Sequence, residues 1–191
     1  MNQTRRLTII AVMAAIAFIL MVFAAFPLIP VVSFLKIDLS FIPIFIGALM
    51  LDLKSGYVIL LIRTLLKLLL NNAGVNDMIG LPMNVIGFGV LLTVLYIFVK
   101  KGNWRQTTLG VGLGTLALTL SMLILNYFFA IPLYAKFANF DISATLGLQN
   151  YMVGAVLPFN LLEGLILSVL GLIVYSLMRK FITTTNQAMH S

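Results

Sequence analysis

Residues 7–26, LTIIAVMAAIAFILMVFAAF, contain no charged side chain. A helix of about 20 such residues matches the hydrocarbon thickness of a bilayer. Paired arginines before it imitate a secretory leader, but the apolar run exceeds the ~7–15 residues of a leader's core. Five further apolar segments follow, at about 39–51, 56–70, 78–99, 107–131 and 153–178, so the first is read as a retained span. The segments are apolar all round rather than alternating, which predicts helices and not barrel strands. The expected fold is an all-α integral membrane protein, one domain over residues 1–191 with six transmembrane helices. The second and third segments reach only half to three-quarters of the ~20 residues of a straight crossing, which leaves three readings open: little tilt, shielding by neighbours, or a border of water-filled space.

Composition enters here. Hydrophobic residues form 62% of the chain and charged residues 9%, too few charges to coat a soluble core. The net charge of +7 is read as cytoplasmic loop bias rather than nucleic-acid binding. Arg5, Arg6, Lys54, Lys100, Lys101, Arg105, Arg179 and Lys180 fall on one side of the expected bundle, against Lys36 and Lys136 on the other. The positive-inside rule then places both termini in the cytoplasm. Loops 27–38, 71–77 and 132–152 face outward, and their prolines, asparagines and aromatics suggest a vestibule with a lid.

Polar groups at membrane depth are costly and therefore informative. Asn84 follows Pro82 on the fourth segment, and Asn126 precedes Tyr127, Phe128 and Phe129 on the fifth. Both asparagines fit either helix–helix hydrogen bonds or a ligand site. In LPFNLLEG, Asn160 and Glu163 are three residues apart and share a helix face. Glu163 sits ~15 Å into its span, where a carboxylate must be paired, protonated or wet. Arg63 lies at a similar depth, and an Arg63–Glu163 pair locking the third and sixth helices is the favoured reading. The alternative is a basic face lining the vestibule. Lys67, one turn nearer the outside, can snorkel to the interface. Two small-residue strips, Ala11 with Ala15 and Gly110 with Gly114, allow close helix approach. The glycines are read as packing within the bundle, while the alanines leave an external helical partner equally open.

Reaction chemistry is sparse. No phosphate-binding loop occurs, there is no cysteine, and the lone His190 is next to the C-terminus. Asp38, Asp52, Asp77, Asp141 and Glu163 are too scattered for a paired-acid or metal centre. The chain is expected to be no enzyme, without catalytic residues, metal or cofactor; it binds or conducts a solute.

The stretch FLKIDLSFIPIFIGALMLDLKSGYVILLIRTLLKLLLNNAG, the alanine strip and PFN resemble the S components of energy-coupling factor transporters, over nearly all of the chain. LPFNLLEG looks most like the riboflavin-specific member, although that member commonly has a basic residue where Glu163 stands. The resemblance implies a cell-membrane protein, multi-pass and bacterial, that captures riboflavin from outside as substrate. It implies a transmembrane coupling subunit and two cytoplasmic ATPases as partners, with docking on Ala11 and Ala15. Inward release would involve toppling of the whole S component. A flavin's planar ring and polyol then assign Asn84, Asn126, Asn160 and Glu163 as polar contacts. Lys36 and Asp38 fall on the lid, and Phe34, Leu35, Phe129 and Phe159 supply the apolar wall. Other vitamins, such as thiamine or biotin, are the nearest alternative; an enzyme acting on lipid head groups is a more distant one.

Overall fold

The computed structural model describes residues 3–28 and 35–190, with side chains up to residue 179. Each of the six apolar segments is helical. They form α1 (Gln3–Phe23), α2 (Phe41–Met50), α3 (Leu53–Leu70), α4 (Val75–Lys100), α5 (Trp104–Leu125) and, after three short helices, α9 (Leu157–His190). The short helices are α6 (Ile131–Phe137), α7 (Ile142–Leu146) and α8 (Leu148–Tyr151), so the long connection expected as loop is largely helical. Among the described residues, four helical stretches are long and apolar enough to cross a membrane: Gln3–Phe23, Val75–Lys100, Trp104–Phe137 and Leu148–Arg179.

The two shorter segments have separate explanations. Helix α2 is ten residues long, about 15 Å, and all but Ile42 are buried. An apolar helix enclosed on every side belongs to a protein core, and α2 packs against α1, α3, α4 and α9. Helix α3 has 18 residues but carries Lys54, Arg63 and Lys67. Its buried face holds Ile59, Leu60, Arg63 and Lys67, while Leu61, Leu65 and Leu69 are exposed on the other.

Local chemistry sets the boundaries. Asp52 caps α3 through Ser55 N, Asn103 caps α5 through Arg105 N, and Asp141 caps α7 through Ala144 N. Gly114 and Gly110 seat α5 on α4: a Cβ at Gly110 would lie 2.6 Å from Phe98 Cβ. That strip therefore packs inside the bundle, as its spacing predicts.

Two departures from regular helix matter for the site. Residues 24–26, expected in the first span, leave it: Ala25–Pro27 (β1) pairs antiparallel with Lys36–Asp38 (β2), Phe26 facing Ile37. Ile37 is wholly buried and anchors this ribbon. The fold is thus helical with one small two-stranded sheet rather than purely helical. In addition, Asn126–Ala130 and Met152–Val156 are π-helical turns. Each ends one residue before a proline's neighbour, ahead of Ile131–Pro132 and Leu157–Pro158. Proline cannot donate to the carbonyl four residues back and clashes with it; widening the turn to an i→i−5 bond relieves both conflicts.

At one end of the bundle Arg6 Nη2 meets Asp52 Oδ2 at 2.6 Å and Ser55 Oγ at 2.8 Å, fastening α1 to the start of α3. Burial works to raise the Asp52 pKa, but hydrogen bonds from Ser55 and the Arg6 charge outweigh it and hold the group below its ordinary value. The pair is two-fifths exposed, so the ion pair itself adds little. Asp52→Ala is expected to cost about 1 kcal/mol, mainly through the lost cap. Because the folded pKa is the lower one, this contribution is complete above the unfolded value of about 4 and disappears as pH falls through the folded value. Melting curves of both proteins in detergent from pH 7 downward should converge in acid; a constant gap would contradict the assignment.

Candidate functional site

At the opposite end of the bundle a cavity of about 500 Å³ opens between α1, the ribbon, α3, α4 and α6. Its wall comprises Met21, Val22, Ala25, Lys36, Asp38, Lys67, Asn71, Ala73, Asn76, Asp77, Gly80, Leu81, Asn84 and Tyr134. A recess of about 100 Å³ continues inward, lined by Leu35, Met83, Met122, Asn126, Ala130, Phe159 and Glu163. Lys36, Gly80, Asn84 and Tyr134 border both spaces. The combined site has the size and mixed polarity of a small-molecule pocket.

The outer rim is fixed by charge. Lys67 Nζ contacts Asp77 Oδ2 at 2.5 Å and also donates to the Asn71 carbonyl. The same Asp77 oxygen accepts from Ala73 N at 2.7 Å, which closes the α3–α4 turn. Lys67 therefore does not snorkel to an interface; a carboxylate one helix away meets it at the cavity wall.

Deeper in, Arg63 has no solvent exposure. It does not pair with Glu163. Its Nη2 donates to Asn84 Oδ1 at 2.8 Å, its Nη1 reaches Met21 Sδ at 2.8 Å, and its guanidinium lies 5.5 Å from the Phe88 ring centre. Asn84 Nδ2 in turn approaches Asp38 Oδ2 at 3.4 Å, and Asp38 Oδ1 accepts from Ser40 N at 2.8 Å. The expected Arg63–Glu163 pair rested on equal depth. Depth does not fix rotation about the axis, and Arg63 turns toward α4 and the ribbon.

The recess is arranged by the first π-turn. Asn126 donates to the Met122 carbonyl at 2.8 Å, and its oxygen accepts from Tyr151 Oη at 2.6 Å. Glu163 is 4% exposed and borders the recess; no hydrogen bond or ion pair engages it among the described residues. Asn160 donates to the Val156 carbonyl, leaving its buried oxygen without a partner.

Of the residues singled out from the sequence, Leu35, Lys36, Asp38, Asn84, Asn126, Phe159 and Glu163 line the site, as does Lys67. Phe129 and Asn160 do not line it, and Phe34 lies outside the described residues. Arg63 stands behind the wall rather than in it. Tyr134 and Asp77 were missed. Asp77 had a signal, being the lone acid in an Asn- and Gly-rich outer turn opposite Lys67; Tyr134 follows a proline in a segment read as loop and had none. Ala11 and Ala15 are exposed, while Ala14 and Ala17 face the interior.

The profile of the family described as "ECF transporter, substrate-specific component" matches residues 5–175. A protein of Streptococcus thermophilus named "Riboflavin transporter RibU" is 50% identical over 92% of this chain and 83% of its own length. A protein of the same name from Lactococcus lactis is 39% identical over 91% of this chain and 93% of its own length. A solved chain described under "Structure and mechanism of the S component of a bacterial ECF transporter" superposes with a TM-score of 0.76 at 25% identity. That superposition covers 95% of this chain and 99% of the other.

The rim pair yields a test of stability. Asp77→Ala strands a partly buried ammonium and is expected to cost about 2 kcal/mol, less than the ~3–5 kcal/mol of a fully enclosed pair because both side chains border the cavity. The double variant Lys67→Met/Asp77→Ala should regain most of that loss in thermal melts. A double variant that loses the sum of the Lys67→Met and Asp77→Ala losses would show that the charges act independently.

Proposed function

The chain belongs to the family of ECF transporter substrate-specific components, and on that premise we propose that it binds riboflavin from the outer side of the membrane for delivery into the cell. It is a membrane protein of a transporter family and not an enzyme. The carrying observation is the two-part cavity, in a chain whose relatives at 39% and 50% identity are both named riboflavin transporters. The recess offers Leu35, Met83, Met122 and Phe159 to a planar apolar ring. The wider chamber offers Lys36, Asp38, Asn71, Asn76 and Asn84 to a chain of hydroxyls. No group in the site is poised to make or break a covalent bond; its work is selection and retention.

In this reading α2 and α3 complete six crossings, α2 shielded by its neighbours and α3 by turning its charges inward. Arg5, Arg6, Lys54, Lys100, Lys101 and Arg105 then mark the cytoplasmic end, and the cavity opens outward in the bacterial cytoplasmic membrane. Membership of the family supports a transmembrane coupling subunit and two ATPase subunits as partners, and the sequence carries no phosphate-binding loop of its own. The exposed alanines of α1 provide a smooth surface on which a partner helix can approach closely.

Purified protein should be yellow, or become so with added riboflavin, and quench flavin fluorescence saturably at one equivalent. Colourless protein that fails to bind added riboflavin would sink the assignment. Ala15→Phe should leave that binding within about twofold while lowering recovery of the coupling subunit in co-purification, because the ring blocks backbone approach without touching the cavity. Undiminished recovery would remove the alanine face as the docking surface.

A further inference from the structure

Among the described residues Arg63 is the largest fully buried side chain, and it belongs to no part of the cavity wall. A lone guanidinium in such a place is expensive, and its direct neighbours are a thioether, a ring and a carboxamide rather than a carboxylate. The carboxamide is the informative one. Arginine has five donors and no acceptor, so it can face only the oxygen of Asn84. That choice leaves the Asn84 amino group turned away from Arg63, toward Asp38 at 3.4 Å and the cavity that both residues border. Asp38 is itself 4% exposed, with its other oxygen held by Ser40 N. Arg63, Asn84 and Asp38 thus form a cation–amide–anion series running from the packed interior to the cavity surface.

We propose that Arg63 is a positioning residue that sets the hydrogen-bonding polarity of the ligand site: it locks Asn84 as a donor toward the cavity and holds Asp38 beside it as an acceptor. Asn84 Nδ2 carries two protons, and Asp38 takes one. The second is offered to an acceptor on the ligand, a carbonyl or hydroxyl oxygen or a ring nitrogen. With Arg63 the amide is held from both ends; without it only the longer 3.4 Å contact to the Asp38 carboxylate, weaker than the 2.8 Å bond from the guanidinium, opposes rotation of the side chain. The inference rests on the ligand-binding reading for its consequence but not for its geometry, and the two can be tested apart.

The experiment uses four full-length proteins in detergent: wild type, Arg63→Met, Asn84→Ala and the double variant, each examined by thermal melting without ligand and by riboflavin titration. In the ligand-free melts, Arg63→Met should destabilise the wild-type background. It should be neutral or stabilising in the Asn84→Ala background, where the guanidinium has already lost its partner. In the titrations, Arg63→Met alone should weaken binding roughly tenfold, and should add no further loss once Asn84 is alanine. A merely structural Arg63 would give the same loss in both backgrounds, and such additivity overturns the proposal. Should Arg63→Met fail to yield monodisperse protein, Arg63→Lys takes its place in the same square, with smaller effects of the same sign. Wild-type protein that binds no riboflavin would defeat the functional reading alone, and the melts would still decide whether Arg63 acts through Asn84.

Discussion

A fully buried guanidinium with no carboxylate in contact is the constraint around which this structure is arranged. Arg63 cannot face lipid, so the rotation of α3 is settled: the face with Arg63 and Lys67 turns inward and the leucines at 61, 65 and 69 turn out. The donors of Arg63 then reach α1 through Met21 and α4 through Asn84, and Asn84 reaches the ribbon through Asp38. One side chain thereby links four pieces of chain that are distant in sequence. Coulomb attraction falls slowly with distance in a medium of low dielectric constant, so Asp38 can stabilise Arg63 across an intervening amide.

The same constraint explains what the sequence could and could not reveal. Apolar length found all six principal helices, and of the readings that the shortness of the second segment left open, shielding by neighbours is the one that fits, since α2 is core on nearly every side. Helical spacing put Arg63 and Lys67 on one face. It could not say which neighbour that face meets, so depth matching chose Glu163 where the structure chooses Asn84 and Asp77. The ribbon was hidden for a related reason: three residues per strand carry too little pattern, and Ala25 and Phe26 look helical beside the run that precedes them. The π-turns were hidden because the signal lies in the prolines after them: Pro158 reads as an ordinary helix bend, and Pro132 falls in the segment read as loop. Tyr134 depends on the first of these turns, since the helical stretch Trp104–Phe137 continues past the expected end of its span.

Preorganisation distinguishes the cavity from a mere gap between helices. Lys67 is committed to Asp77, Asn84 to Arg63 and Asp38, and Asn126 to Met122 and Tyr151. A ligand arriving among groups already held in place avoids much of the ordering entropy that binding otherwise costs. Met83 and Met122 supply the opposite quality, flexible thioether walls in the recess proposed for the flat ring. Among the described polar residues that line the recess, Glu163 is enclosed with no hydrogen-bond or ion-pair partner.

Helix α1 has a different position from the others. Its inner face packs Ala14 and Ala17 into the core, and its outer face carries Ala11 and Ala15. It is also fastened at both ends, by Arg6 to Asp52 and Ser55, and by Met21 to Arg63. The first fastening is two-fifths exposed and cheap to break, while the second is part-buried, ends on the fully buried Arg63 and is continuous with the series that borders the cavity. Displacing α1 along α3 would strain both, and the strain at the cavity end would fall on the guanidinium that holds Asn84. The outer surface of α1 and the ligand site are therefore not mechanically separate, because the helix that presents one also supplies a wall of the other.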